Sequence, residues 1–260
     1  MPPGVNRGLW DYLHDPAVAR NYDAGLAGVS LPDVDLRFVE EHCPQPGRLL
    51  DLGCGTGRLL VPFTQHGYGV LGVDLSEEML AVARAKSRKA VSLLRANITE
   101  LNGLRDQNFD YAACLFSTLG MVLGTENRRR VVAHAFRLLR PGGCFVLHVH
   151  NRWFNVWNAP GRAWLLQNWW GRAESGDRVM PVHQGVAGLT LHLFTRDEAA
   201  RLLIETGFRI REMRPVSLRT DGRLSWPWWF GGGRLPARPF GVSRLARHEA
   251  IATAIAGHAQ

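Results

Sequence analysis

Arg48 to Asp74 reads RLLDLGCGTGRLLVPFTQHGYGVLGVD. An apolar run, Leu49, Leu50 and Leu52, breaks into glycines at 53, 55 and 57. A short amphipathic segment with Leu59, Leu60 and Phe63 follows and stops at Gly67. A second apolar run, Gly69 to Val73, then ends in Asp74. This order predicts strand, tight turn, helix and strand, joined by a right-handed crossover. Glycines let the backbone turn sharply and approach a ligand that a Cβ would repel. The expectation is that main-chain amides of the bend face that ligand. Asp74, at the tip of the second strand, is placed to accept both hydroxyls of a ribose.

The glycine spacing narrows the choice of nucleotide. A dinucleotide fingerprint needs its third glycine at 58, where this chain has Arg58. Asp51 precedes the triplet Gly53, Gly55 and Gly57, and Asp74 closes the unit. The run Asp-Leu-Gly-Cys-Gly-Thr-Gly with that later Asp closely resembles the cofactor motif of the class I S-adenosylmethionine-dependent methyltransferases. The other reading is a generic Rossmann-like turn that packs a helix on a strand. The resemblance implies S-adenosyl-L-methionine as cofactor and S-adenosyl-L-homocysteine as product. Asp51, Gly53, Cys54, Gly55, Gly57 and Asp74 would then be binding residues. It also implies that Leu75 and Met79 flank the adenine, that Asn97 and Ile98 lie at its edge, and that Phe116 borders the sulfonium. Family members commonly have Asp at the position of Asn97; Asn can still serve through its carbonyl oxygen. A Tyr-Asp pair like Tyr22-Asp23 often covers the methionine end in this family, so Tyr22 is a candidate, although a surface tyrosine is the simpler reading of the residue itself.

The rest of the chain fits an α/β domain, a doubly wound, mostly parallel seven-stranded sheet. Residues 1–47 read as a helical lead-in and cap outside the core, with a helix over 32–43 that presents Leu36, Val39 and Cys43 on one face. Residues 48–150 form the cofactor-binding core. Ser76 caps a helix whose first turn holds Glu77 and Glu78. Strands are expected at 91–95, 109–115 and 144–150, with a helix over 126–140 before the Pro141-Gly142-Gly143 turn. Residues 151–194 break this rhythm with Trp153, Phe154, Trp157, Trp164, Trp169 and Trp170. They suggest an inserted aromatic lid over a planar or apolar acceptor, or the large side chains a thin insertion needs for any core. The segment closes with a strand over 185–194. Residues 195–260 complete the sheet. Thr195 caps a helix, and 208–213 is the sixth strand. The seventh falls either at the Asp221-Gly222 hairpin signal or over 239–246, and the Ala-rich tail from 250 reads as a short or frayed helix.

Composition excludes several classes. Cys43, Cys54, Cys114 and Cys144 lie far apart, without metal-ligand spacing, so neither a disulfide frame nor a metal site is expected. No apolar run approaches the ~20 residues that span a bilayer, and no signal peptide is visible, which predicts a cytoplasmic protein without a membrane partner. Net charge is +8, with 29 arginines against Lys86 and Lys89. From Arg196 to Arg247 eleven arginines face five acids. Such a patch attracts nucleic acid, or is simply a solvated surface.

Methyl transfer from a sulfonium is an in-line displacement in which alignment contributes most. A catalytic base is therefore hard to read. His150 and Asn151, at the ligand end of the fifth strand, are candidates, with His148, His183 and His192 behind them; structural roles for all of them compete. The sequence leads to a small-molecule N-, O- or C-methyltransferase. The alternatives are an RNA methyltransferase that uses the basic C-terminal quarter, a cofactor-binding protein without catalysis and, against Arg58, a nicotinamide-linked reductase. The acceptor and the oligomeric state are not legible.

Overall fold

The computed structural model describes residues 1–27, 31–87, 91–152, 162–163, 166, 176–180, 182, 185–216 and 249–256. Three helices lead in: α1 (Arg7–Leu13), α2 (Pro16–Leu26) and α3 (Leu31–His42). The alternating core follows as β1 (Arg48–Leu52), α4 (Leu60–Gln65), β2 (Gly69–Asp74), α5 (Glu77–Lys86) and β3 (Ser92–Arg95). Then come β4 (Phe109–Cys114), α6 (Thr118–Met121), α7 (Thr125–Leu138) and β5 (Leu139–Val149). A small antiparallel pair, β6 (Asp177–Val179) and β7 (Thr190–His192), precedes α8 (Arg196–Glu205), β8 (Phe208–Val216) and β9 (Glu249–Ala256).

The main sheet runs β3-β2-β1-β4-β5-β9-β8. Its first five strands are parallel, and β9 lies antiparallel between β5 and β8. The order reverses beside β1, which puts the ligand crevice at the carboxyl ends of β1 and β4. Buried on both faces, the central strands are mainly apolar: Leu49, Leu50 and Leu52 in β1 and Phe145, Val146 and Leu147 in β5 are fully enclosed. One core layer packs α7 and α8 against the sheet, and the other packs α3 and α4.

Three expectations are corrected here. The tail is neither helix nor frayed: residues 249–256 are the antiparallel strand, and both earlier placements of it lie outside the described residues. Pairing on both sides overrides the helical preference of alanine, because the gap between β5 and β8 needs a strand. The lead-in also belongs to the interior. Leu9, Tyr12, Val18 and Ala19 are buried in a cluster with Met79, Val186 and Leu189. The strand expected over 185–194 shrinks to Thr190–His192, bonded to Asp177–Val179. The tryptophans of the proposed lid lie outside the described residues, as do Trp226, Trp228 and Trp229.

Candidate active site

The glycine turn provides space at the switch point. Gly53, Gly55 and Gly57 all have positive φ, at 74°, 51° and 80°. A Cβ on Gly53 would strike Thr118 at 2.3 Å, whereas one on Gly55 would meet nothing within 4 Å and would project into open volume. Gly57 serves packing instead: a Cβ there would stand 3.0 Å from that of Ala83 on α5. The amides do not face a ligand as expected. Gly53 and Cys54 donate to Val73 O at 2.8 and 3.0 Å, Gly55 donates to Asp74 Oδ2 at 2.8 Å, and Gly57 donates to Cys54 O. The bend cradles by absence of side chains, not by bared N–H groups.

Beside it lies a cleft enclosing about 770 Å³ of empty space, part of it open solvent. Asp74, Leu75 and Met79 line it from the end of β2 and the start of α5, and Asn97 and Ile98 from beyond β3. Gly53, Gly55, Phe116 and Thr118 form the floor, and Tyr22 joins from α2. The remaining wall is the N-terminal segment, with Pro3, Val5, Leu9, Tyr12 and Leu13, together with Met121 and Val122. The sequence reads 1–47 as a cap but singles out none of these residues. Apolar residues before a core domain carry no signal of which cavity they will cover.

Asp74 already accepts from Gly55 N and, through Oδ1, from Ser76 N at 2.9 Å. The Leu75 main chain bonds it as well, so of the roughly four acceptor positions of a carboxylate about one remains for a ligand. Burial pushes its carboxyl above the ordinary value, and the main-chain donors pull it back. Tyr22, half-buried at the cleft, is not a surface residue; its neighbour Asp23 accepts from Thr56 Oγ1 at 2.7 Å and from Lys86 at 2.8 Å. Asn97 holds the N-terminal segment: its Nδ2 donates to Pro3 O at 2.9 Å, and its Oδ1 accepts from Thr99 N at 3.1 Å. The Leu123 amide donates to Gly4 O at 2.8 Å, a second tie on the same segment.

A smaller pocket of about 360 Å³ adjoins the cleft and shares Tyr22, Gly53, Gly55, Phe116 and Thr118 with it. Asp51, Cys54 and Arg58 line it. Phe116 and Ser117 sit in the left-handed region, with φ of 51° and 61°, a strain that clusters at functional sites. The Ser117 amide donates to His148 O at 3.0 Å, and the main-chain N–H of His150 donates to Ser117 Oγ at 3.1 Å, which fixes the bend. His150 rests edge-on to Phe116, with ring centroids 6.4 Å apart, and lines neither cavity; Asn151 is buried and bridges to Phe194. His148, fully enclosed, sits with Nδ1 2.7 Å from Asp35 Oδ1. His192 is buried between Asp177 and Glu198, and His183 lies outside the described residues.

The family described as "Methyltransferase domain" matches residues 49–143, the span that builds the glycine turn, the cleft floor and strands β1 to β4. That stretch is similar to a methyltransferase domain. A ubiquinone biosynthesis O-methyltransferase of Hahella chejuensis is 32% identical over 121 residues, covering 45% of this chain and 49% of the relative. A 24-methylenesterol C-methyltransferase 2 of Oryza sativa subsp. japonica is 29% identical over 192 residues, covering 71% and 47%. The chain thus spans about half the length of the curated relatives it matches. Among solved structures, the 1,6-didemethyltoxoflavin-N1-methyltransferase of Burkholderia thailandensis, with bound 1,6-didemethyltoxoflavin and S-adenosylhomocysteine, superposes with a TM-score of 0.62 at 19% identity, covering 93% of this chain and 85% of that one. The fold is that of the S-adenosylmethionine-dependent methyltransferases. The residues at the turn fit that cofactor: a Cβ on Gly55, which lines the cleft, would project into open volume, and the Asp74 carboxylate lines the same cleft.

Proposed function

We propose that the chain transfers a methyl group from S-adenosylmethionine to a small molecule. The supporting observation is the continuity of the glycine-floored cleft, in which Asp74, Leu75, Met79, Asn97, Ile98 and Phe116 share one volume. In this reading Asp74 holds the ribose, Leu75 and Met79 lie on the adenine, and Phe116 and Thr118 border the sulfonium. The cofactor supplies an electrophilic methyl and a neutral thioether leaving group. The chain supplies alignment, worth roughly 7–11 kcal/mol when the acceptor is well placed.

Among the described residues, the titratable groups lining the cleft are Tyr12, Tyr22 and Asp74. Burial raises both phenols above their ordinary value, so they stay protonated at neutral pH and act as donors, not bases. That favours an acceptor that arrives as a competent nucleophile. The relatives' names cover oxygen, carbon and nitrogen acceptors, which suits a fold that aligns more than it activates. The arginine-rich quarter on which an RNA acceptor rested lies mostly outside the described residues, and Arg214 is engaged by Glu41 and Glu212. The test is calorimetry with S-adenosylhomocysteine, followed by methyl transfer from labelled S-adenosylmethionine into a metabolite pool and into tRNA. Binding with label in the small-molecule fraction is expected. Absence of binding sinks the proposal, and label confined to tRNA replaces the acceptor class.

A further inference from the structure

Cys43 and Cys144 stand about a hundred residues apart in the chain, and the fold brings their thiols together. Cys43 follows the last residue of α3, and Cys144 lies in β5, on the face of the sheet that α3 covers. Both are free, 0% and 6% exposed, in an apolar cluster with Phe38, Val39, Phe63 and Val146. Their side chains hydrogen-bond to each other, and the bond is asymmetric. Cys43 donates and keeps its proton. That bond draws the Cys144 thiol below its ordinary value although burial opposes it, and Arg211 adds to the lowering. Arg211 sits at the register shift of β8 against β9, between Ile210 and Glu212. Burial instead raises the thiols of Cys54 and Cys114, which stay protonated. A thiol eased toward thiolate by a nearby cation, with a second thiol beside it to resolve the product, is the arrangement that oxidises selectively.

We propose that Cys43 and Cys144 form an oxidative modification site, which a hydroperoxide converts into one reversible disulfide between α3 and β5. The Cys144 thiolate attacks a peroxide oxygen; an S–O bond forms, the O–O bond breaks, and hydroxide leaves when the oxidant is hydrogen peroxide. Cys43 then attacks the sulfenic sulfur. The S–S bond forms, the S–O bond breaks, and the Cys43 proton departs with the hydroxyl as water. The two sulfurs lose two electrons and the peroxide gains them. Access comes from the end of α3. Pro44, Gln45 and Pro46 beyond it are exposed, and helix ends open more readily than a packed core. Loss of the bond from Cys43 N to Val39 O would admit a molecule as small as hydrogen peroxide. The link would pin α3 to the strand it already meets through Asp35, 2.7 Å from His148, and would close a long loop in the unfolded chain.

The test treats the folded full chain with hydrogen peroxide and maps its thiols by peptide mass spectrometry. A linked peptide pair holding Cys43 and Cys144, lighter by two hydrogens, should form at least about tenfold faster than any oxidation of Cys54 or Cys114. Dithiothreitol should reverse it. The urea midpoint should rise with the link and fall back on reduction. In Cys43→Ser, which removes the resolving thiol, dimedone should trap a sulfenic acid at Cys144. In urea above the midpoint, the same treatment of the wild type should scramble pairing among the four cysteines. Wild-type thiols that all stay reduced in the folded chain overturn the proposal. So does oxidation of Cys54 or Cys114 at an equal rate, or a linked pair that appears only in urea.

Discussion

Asp74 carries the most direct prediction, because main-chain donors of Gly55 and Ser76 hold its carboxylate in the lining of the cleft. Replacement by Ala should weaken S-adenosylhomocysteine binding at least tenfold, as removal of charge-assisted bonds worth ~1.5–3 kcal/mol implies; calorimetry at constant salt reads it. Asp51 predicts a pH effect on the ligand-free protein. Its carboxyl is raised from an ordinary 3.8 to about 7, chiefly by burial. The folded state therefore holds the proton more tightly, so this stabilising contribution is full below about pH 4 and is lost as pH rises through 7. Asp51→Asn should match the wild type near pH 4 and exceed it above pH 7, by no more than about 4 kcal/mol at 1.36 kcal/mol per unit. Urea midpoints across that range measure it. Glycine positions and strand-end acids were legible at this scale because the backbone demands them locally. The contact of Arg58 with Asp35 was not, since it joins residues distant in the chain.

Among elements, the best-joined region is the corner of β6, β7, α7 and α8. The His192 Nδ1 lies 2.5 Å from Asp177 Oδ1, and its Nε2 lies 2.7 Å from Glu198 Oε1. With a carboxylate on each nitrogen the ring is an imidazolium, and these bonds raise its pKa although burial opposes the charge. Arg128, nearly fully buried, reaches Asp177 from α7 at 3.3 Å and so ties a fourth element in. A raised folded pKa means the stabilisation is present below pH 6.5 and fades as pH climbs through the higher folded value. His192→Gln should therefore destabilise strongly at pH 6, toward the lower end of the ~3–5 kcal/mol cost of a broken buried pair because both acids are partly exposed. The gap to wild type should narrow at pH 9; a gap independent of pH would show the ring acting by packing alone. The N-terminal cover gives a second test. Asn97→Asp would set a carboxylate against Pro3 O, so amide exchange at Leu123, the donor to Gly4 O, should accelerate. Helices α5 and α8 were readable from their caps, Ser76 and Thr195, because capping is a local geometry. Helix α1 was not readable as core. A Cβ on its Gly8 would meet Gly188 O at 2.3 Å, and no short window of sequence contains both residues.

At the scale of the molecule, the parallel half of the sheet was written in alternating strands and helices, and its far edge was not. β8 forms its ladder with β9, and β9 also pairs with β5, so this strand from the end of the chain joins α8 and β8 to the domain's centre. Phe208, at the start of β8, stacks on Phe145 of β5 with centroids 5.3 Å apart and meets Phe136 of α7 at 5.1 Å. That aromatic junction holds its shape only if the intervening ladder is intact. The segment Glu249–Ala256 hid its role because alanine favours helix, and only the gap between two finished strands makes it extended. Thr253 decides between the readings. It pairs with Val146 on one side and Glu212 on the other, so Thr253→Pro would remove a ladder donor from a central strand, where proline is excluded. The loss should be at least the ~1–3 kcal/mol of an unmatched buried main-chain group, whereas Thr253→Val, suited to a pleated surface, should be nearly neutral. A urea midpoint that falls for proline and holds for valine fits the strand. Equal, small effects of the two would return the segment to the frayed tail that its composition suggests, and would leave β8 without its neighbour.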